Sequence, residues 1–272
     1  MKKILVVSNI DTAISPQDVQ RICQVLRVHG ADVTAASFSP GEPLPANSSW
    51  DCIVAIGGDG TIMHVAKQAA HHGIPVLGVN SGKLGFLAGM EMDETHRLQA
   101  LVEGAYDTEE RLLLDVCVEE TTYLAMNEAV VSRGSLSRLV DLNVCVDGRD
   151  VMQYRADGIM VATPTGSTAY SLSAGGPVVD PHVSCLLLTP ICPHTLYARS
   201  YVLPADAVLC IDTIKTKDGT FLTVDGETEV PLSLGGKVQV KRSALTARLI
   251  RLQPQTRSFY DVLDKKLIGG RK

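Results

Sequence analysis

The chain has 272 residues, 45% of them hydrophobic, and a formal net charge of -5. This length builds one large domain or two ordinary ones with ample core. The apolar share excludes general disorder, and the negative balance gives no support to nucleic acid as the main partner. No apolar run approaches the roughly 20 residues that span a bilayer, and the run in MKKILVVSNID is too short for a signal peptide. A soluble cytoplasmic protein is expected, with neither a membrane nor a nucleic acid as partner.

In chain order, KKILVVSN reads as a buried strand. Ser15-Pro16 supplies an N-cap and a first helical residue, Val19, Ile22, Cys23 and Leu26 follow helical spacing, and Gly30 closes that helix. DCIVAI is a second strand, Thr61 to His72 a helix, IPVLGVN a third strand and Asp93 to Tyr106 another helix. Such alternation predicts a parallel sheet whose ligands sit beyond the carboxyl ends of its strands, where the GGDG of residues 57–60 falls. After about residue 110 the pattern turns to short strands and tight turns, Asp147-Gly148 being a hairpin signal. Helical character returns in FYDVLDKKLIG. The expected architecture is therefore α/β plus all-β. A Rossmann-like parallel α/β domain spans 1–110 and is completed by a terminal helix within 256–272 that packs back on it. A β-sandwich-like domain spans 111–255.

The seven cysteines form no C-x-x-C pair and lie mostly in apolar runs, so they read as reduced small hydrophobes. Familiar phosphate loops are absent. Five residues before Gly82 stands Leu77, and Leu84 follows Lys83, which excludes G-x-x-x-x-G-K-[ST]. Met63 breaks a G-x-G-x-x-G match in GGDGTIM.

What remains unusual is Asp59, a carboxylate set between glycines. Asp and Gly are ordinary turn residues, so turn former and functional group both stand. At the mouth of a parallel sheet, however, the carboxylate can take a proton from a substrate hydroxyl. The Gly57-Gly58 and Gly60-Thr61 amides can meanwhile hold phosphate oxygens. The stretch TPTGSTAYSLSAGGP is either a solvated loop or a binding platform. Thr168 and Ser173 offer hydroxyls, Ala169 close backbone access, and Tyr170 a flat ring. Asn127 and Glu128 are adjacent polar residues in an apolar strand-like run, facing opposite ways if the strand is regular, and either bridge strands or bind. Asp157 precedes Gly158 as a turn aspartate would, and Arg138 and Arg155 read as solvated arginines. His64 lies one turn beyond Thr61. His71, His72 and His194 lack metal-ligand spacing, so no protein metal site is expected.

GGDGT resembles a kinase superfamily that includes NAD kinases, diacylglycerol and sphingosine kinases and, more distantly, phosphofructokinases. YRADGIMVATPTGSTAYSLSAGGP is similar to the long signature of NAD kinases. MNEAVVSRG, GVNSGKLGFLA, ICPHTLYARS and FYDVLDKKLIG carry the resemblance in order across nearly the whole chain. It implies transfer of the γ-phosphoryl group of ATP to the 2'-hydroxyl of the adenosine ribose of NAD, with Asp59 as the catalytic base. Nucleotide contacts are expected at Gly57, Gly58, Gly60, Thr61 and His64 from their place at the helix start and at Phe86 in GVNSGKLGFLA, and the resemblance assigns further ones to Asn127, Glu128, Arg138, Arg155 and Asp157. It adds Thr168, Ala169, Tyr170, Ser171, Leu172 and Ser173 to that set. Magnesium or another divalent cation arrives with ATP, no organic cofactor is tightly bound, and a homodimer or homotetramer is expected. Departures from the family pattern are Lys83 for a common arginine, Ser200 for a proline, Glu227 for a glutamine, and NIDTAI without the usual proline and basic residue. The competing readings are a GGDGT-type lipid kinase and a non-catalytic NAD or NADP sensor.

Overall fold

The computed structural model describes the chain except residues 12–13, 40–41, 135–138, 196–197, 216–218, 256 and 269–272. Packing divides it into two units, Met1–Glu110 with Thr246–Lys272, and Arg111–Leu245.

In the first unit, β1 (Lys3–Asn9) is followed by α1 (Pro16–Val28) and β2 (Asp32–Phe38). Ser15 caps α1 by accepting from the Asp18 amide at 3.1 Å, and the helix buries Ile22, Cys23 and Leu26. Gly30, at φ +90°, then turns the chain into β2. β3 (Cys52–Gly57), α2 (Asp59–Ala70) and β4 (Val76–Asn80) make the next strand-helix-strand unit. A two-residue strand β5 (Met90–Glu91) and α3 (Leu98–Glu103) follow. β1 pairs in parallel with β2 and β3, and β3 with β4. Every residue of β3 and β4 is buried, as expected where both faces of a parallel strand are covered.

Three local differences from the sequence reading have physical causes. β2 gives no apolar run because it is an edge strand pairing only with β1, so only Val33 and Phe38 are buried in it. The helix expected over 61–72 begins at Asp59, two residues earlier, with Gly58 as its N-cap. The helix expected over 93–106 is a turn at Thr95–Arg97 followed by α3, and Gly104 at φ +83° ends it before Tyr106 enters the next strand.

The second unit is antiparallel. Its strands are β6 (Tyr106–Val118, beginning before the boundary), β7 (Thr121–Ala125), β8 (Glu128–Arg133), β9 (Val140–Val146), β10 (Arg149–Ala156) and β11 (Gly158–Ala162). After the short helix α4 (Tyr170–Ser173) come β12 (Cys185–Ile191), β13 (Tyr201–Pro204), β14 (Leu209–Lys215), β15 (Thr220–Val224), β16 (Thr228–Leu232) and β17 (Lys237–Leu252). One sheet runs β13-β12-β11-β8-β15-β16, and in the other β10, β9, β14 and β17 pair in sequence. Ile159, Val161, Leu186, Leu188 and Leu222 from the first sheet share one core with Leu142, Val144, Leu209, Ile211 and Val238 from the second. That is a sandwich, with inward and outward residues alternating along the strands. Asp147 and Gly148, at φ +49° and +79°, form the hairpin turn between β9 and β10.

The end of β17 returns to the first unit. Leu249 pairs in parallel with Val76, and Ile250 and Leu252 join the core of Ile4, Val54 and Leu77. Residues 246–255, grouped by the sequence reading with the β-rich part, thus pack with the α/β part. The helix α5 (Phe259–Leu263) follows, closed at its start by a reciprocal Ser258–Asp261 capping box. It packs in the first unit through the Phe86 and Phe259 rings, whose centroids lie 5.8 Å apart.

Candidate functional site

β3 and β4 end side by side, Gly57 opposite Asn80, and α2 starts from that edge. Asp59 is its first residue, where main-chain N–H groups lack helical partners and a negative charge is favoured by the helix dipole. The carboxylate does not cap its own helix. It reaches residues 85–87, accepting from the Phe86 amide at 2.9 Å and the Leu87 amide at 3.0 Å. Lys266 places Nζ 3.4 Å from the same carboxylate and 4.6 Å from the centroid of the Phe86 ring. The Asp59 and Lys266 side chains are 32% and 33% exposed, so the group is held without being sealed. Gly85 makes the contact possible, since a Cβ there would stand 2.2 Å from Asp59 Oδ1.

The glycines around Asp59 differ in what requires them. A Cβ on Gly57 would lie 2.5 Å from Cβ of Thr61, which is buried against it. A Cβ on Gly58 or Gly60 would meet nothing within 4 Å, and neither residue needs a left-handed backbone. Packing therefore does not explain those two. Their bareness leaves main chain open to close approach by a ligand. His64 is occupied locally: its ring stacks on Phe38 at 5.1 Å, and the Gln68 side-chain amide donates to its Nε2 at 2.8 Å.

The second cluster lies in the β unit. Asn127 is the residue before β8 and Glu128 its first. Thr163 donates from Oγ1 to the Met126 carbonyl at 2.6 Å and from its amide to the Asn127 carbonyl at 2.8 Å. Gly166 lies so close to Asn127 O that a Cβ would stand 2.2 Å from it. The chain then makes a turn at Thr165–Thr168 and the four-residue α4. Tyr170 is 45% exposed and presents its ring, Ser173 is exposed, and Thr168, Ala169 and Leu172 are half-buried. Ser171 points inward, fully buried, with its hydroxyl 3.4 Å from that of Thr189.

Asp157 is paired with Arg133, whose Nε donates to Oδ1 at 2.6 Å. Arg155, on edge strand β10, is 67% exposed in its side chain and 4.0 Å from Asp141. Arg138 lies outside the described residues. Glu128 is 6% exposed and its Oε2 has no hydrogen-bond partner. Burial, and then the neighbouring Asp225 carboxylate, push its acid up to about 8 from an ordinary 4.5.

Sequence reasoning thus brought out Asp59, Asn127 and Glu128 but not the residues that hold them: Gly85, Lys266, Thr163 and Asp225. Arg133 was likewise missed. Each stands in or beside a stretch singled out for other reasons, and no local pattern says which distant amide a carboxylate will meet. Among the described residues, no three His, Cys, Asp or Glu side chains converge as a metal site, and no helix is long and apolar enough to cross a membrane.

Residues 42–106 match the ATP-NAD kinase N-terminal domain and residues 126–252 the ATP-NAD kinase C-terminal domain. The NAD kinase of Symbiobacterium thermophilum is 45% identical over 284 aligned residues, covering 99% of this chain and 100% of the relative. That of Natranaerobius thermophilus is 35% identical over 287, covering 100% of each. Among solved structures, an NAD kinase from Archaeoglobus fulgidus in complex with ATP superimposes with TM-score 0.81 at 27% identity, over 96% of this chain and 98% of that one. Yeast NADH kinase complexed with NADH gives TM-score 0.83 at 25% identity, over 100% and 89%.

Two outcomes follow from this geometry. A Glu128 acid held above its unfolded value binds its proton in the native chain between about pH 4.5 and 8, where the unfolded chain has released it. Its contribution to stability is complete below that window and is lost as pH rises through it, by on the order of a few kcal/mol. Urea denaturation at several pH values should show this loss, and Glu128→Gln should flatten it. Gly85→Ala should push the Asp59 carboxylate off its two amides, read as faster hydrogen exchange at Phe86 and Leu87.

Proposed function

The chain belongs to the NAD kinase family, which transfers the γ-phosphoryl group of ATP to NAD and forms NADP, and from that premise we propose that Asp59 is its catalytic base. As the ribose 2'-oxygen bonds to the γ-phosphorus, the bond to the β,γ-bridging oxygen breaks. The hydroxyl proton passes to the Asp59 carboxylate and ADP leaves. A carboxylate is a weak base toward an alcohol, so its contribution comes from alignment, and positioning with charge neutralisation lowers most of the barrier. The amide hydrogen bonds from Phe86 and Leu87 suit that task. They fix the direction of the carboxylate while an ionised carboxylate keeps further lone-pair positions for a hydroxyl.

The observation that carries this reading is the pair of glycines beside Asp59 that packing does not require. The amides of Gly58, Gly60 and Thr61, at the start of a helix, are assigned to the donor phosphates; Gly57 lets Thr61 pack beneath them. ATP enters as its magnesium complex, and the divalent ion, brought with the substrate, shields the phosphate charge. NAD contacts are assigned to Asn127, Glu128 and Asp157 and to the 168–173 segment, with Tyr170 offering its exposed ring to a base. Arg133 orients Asp157 through its short ion pair. Arg155, His64 and Phe86 are outer contacts. The seven free thiols fit a reducing, cytoplasmic setting, and the working assembly is a homodimer or homotetramer, to be read by light scattering.

Asp59→Asn replaces one amide-accepting oxygen with a donor and should cost about 1–2 kcal/mol of stability. Turnover should fall roughly a hundredfold or more, while the Kd for NAD by calorimetry stays within about threefold. A variant that folds, binds NAD and keeps parental turnover removes Asp59 from the mechanism. NADP formation by the parent chain, assayed across ATP, polyphosphate, NAD and NADH, defines the donor and acceptor.

A further inference from the structure

Asp225 and Gly226, at φ +51° and +69°, open the three-residue turn, 225–227, between β15 and β16. For an Asp-Gly pair between two strands, turn chemistry alone is the ordinary explanation, since Asp tolerates a positive φ better than most residues. It does not cover what this carboxylate does. Asp225 is 8% exposed, and its oxygens accept from three consecutive amides nearly a hundred residues earlier: Met126 at 2.9 Å, Asn127 at 2.8 Å and Glu128 at 3.0 Å. Its own amide donates to the Glu128 carbonyl at 3.0 Å. Thr163 takes the other two carbonyls, those of Met126 and Asn127.

All main-chain donors and acceptors of residues 126–128 are therefore engaged, four of them by Asp225. The Glu128 side chain is the opposite case, its buried Oε2 having no partner. A backbone fixed at every polar group, carrying a polar side chain with an unmet hydrogen-bonding position, is a preorganised recognition element. We propose that Asp225 is the positioning residue of acceptor recognition, holding the 126–128 backbone so that Asn127 and Glu128 meet NAD without reorganisation. The proposal rests on the reading of Asn127 and Glu128 as NAD contacts and deepens it.

A second consequence concerns the proton on Glu128. The charged group acting on it is Asp225. Ala162, opposite it on β11, and Thr163, on the loop that follows, carry no charge. Buried beside that carboxylate, Glu128 keeps its proton at neutral pH and offers NAD a hydrogen-bond donor, which it loses above about pH 8.

The test uses the full chain, with NAD as probe. In Asp225→Asn and Asp225→Ser, the amides of 126–128 should exchange at least about tenfold faster and KM for NAD should rise about tenfold, with kcat and KM for ATP within about twofold. Unchanged exchange, or faster exchange with an unchanged KM for NAD, overturns the positioning role. Should both variants fail to fold, the parent still decides. Its Kd for NAD should weaken by about tenfold per pH unit above pH 8, and Glu128→Gln should remove that dependence. A flat parental profile between pH 6.5 and 9.5 removes the proton from Glu128, and 126–128 amides in the parent that exchange freely without NAD and gain protection only when NAD is added overturn the positioning role. The underlying reading fails separately, if Asn127→Ala and Glu128→Ala both leave the Kd for NAD unchanged at pH 7.

Discussion

A carboxylate accepting hydrogen bonds from main-chain amides of a distant segment is the interaction on which both clusters depend. Asp59 does this with Phe86 and Leu87, and Asp225 with Met126, Asn127 and Glu128. Hydrogen bonds to an ionised acceptor are roughly twice as strong as neutral ones. Because each carboxylate has two oxygens in one plane, it fixes two or three successive peptide groups in mutual orientation. A side chain could not be held to the same tolerance by apolar packing alone, which constrains volume more than direction.

The two carboxylates serve different ends. Asp59 is a third exposed, so the amides and Lys266 direct it while solvent or substrate can still reach it. Asp225 is buried, and all its reach is toward protein. One carboxylate is therefore aimed and the other does the aiming. Glycines complete both arrangements, Gly85 by admitting the Asp59 oxygen and Gly166 by admitting the Asn127 carbonyl. Neither has a positive φ, so their requirement is one of space.

These contacts sit on scaffolds of different kinds. The parallel sheet of the first unit, buried on both faces, delivers the GGDG turn at the ends of its strands, and crossover helices follow from there. The sandwich of the second unit fills one core from two sheets, which leaves β8, β11 and β15 as adjacent strands. Residues 126–128, Thr163 and Asp225 all stand at ends of those three strands, so sheet register brings them together before any side chain contributes.

The sequence alone determined the features that depend on near neighbours. Ser15-Pro16 and the spacing of Ile22, Cys23 and Leu26 set α1, and Asp147-Gly148 set a hairpin, because caps, periodicity and turn chemistry act over a few residues. It also marked Asp59, Asn127 and Glu128 as chemically out of place. It missed β2, whose edge position removes the apolar run, and it set the start of α2 two residues late. Only the tertiary structure decided which groups meet. The partners of Asp59 lie 27 and 28 residues away, and those of Asp225 from 97 to 99. Over such separations no local preference operates. What brings a carboxylate to an amide is the register of strands and the collapse of a shared core, which exist only once the chain has folded.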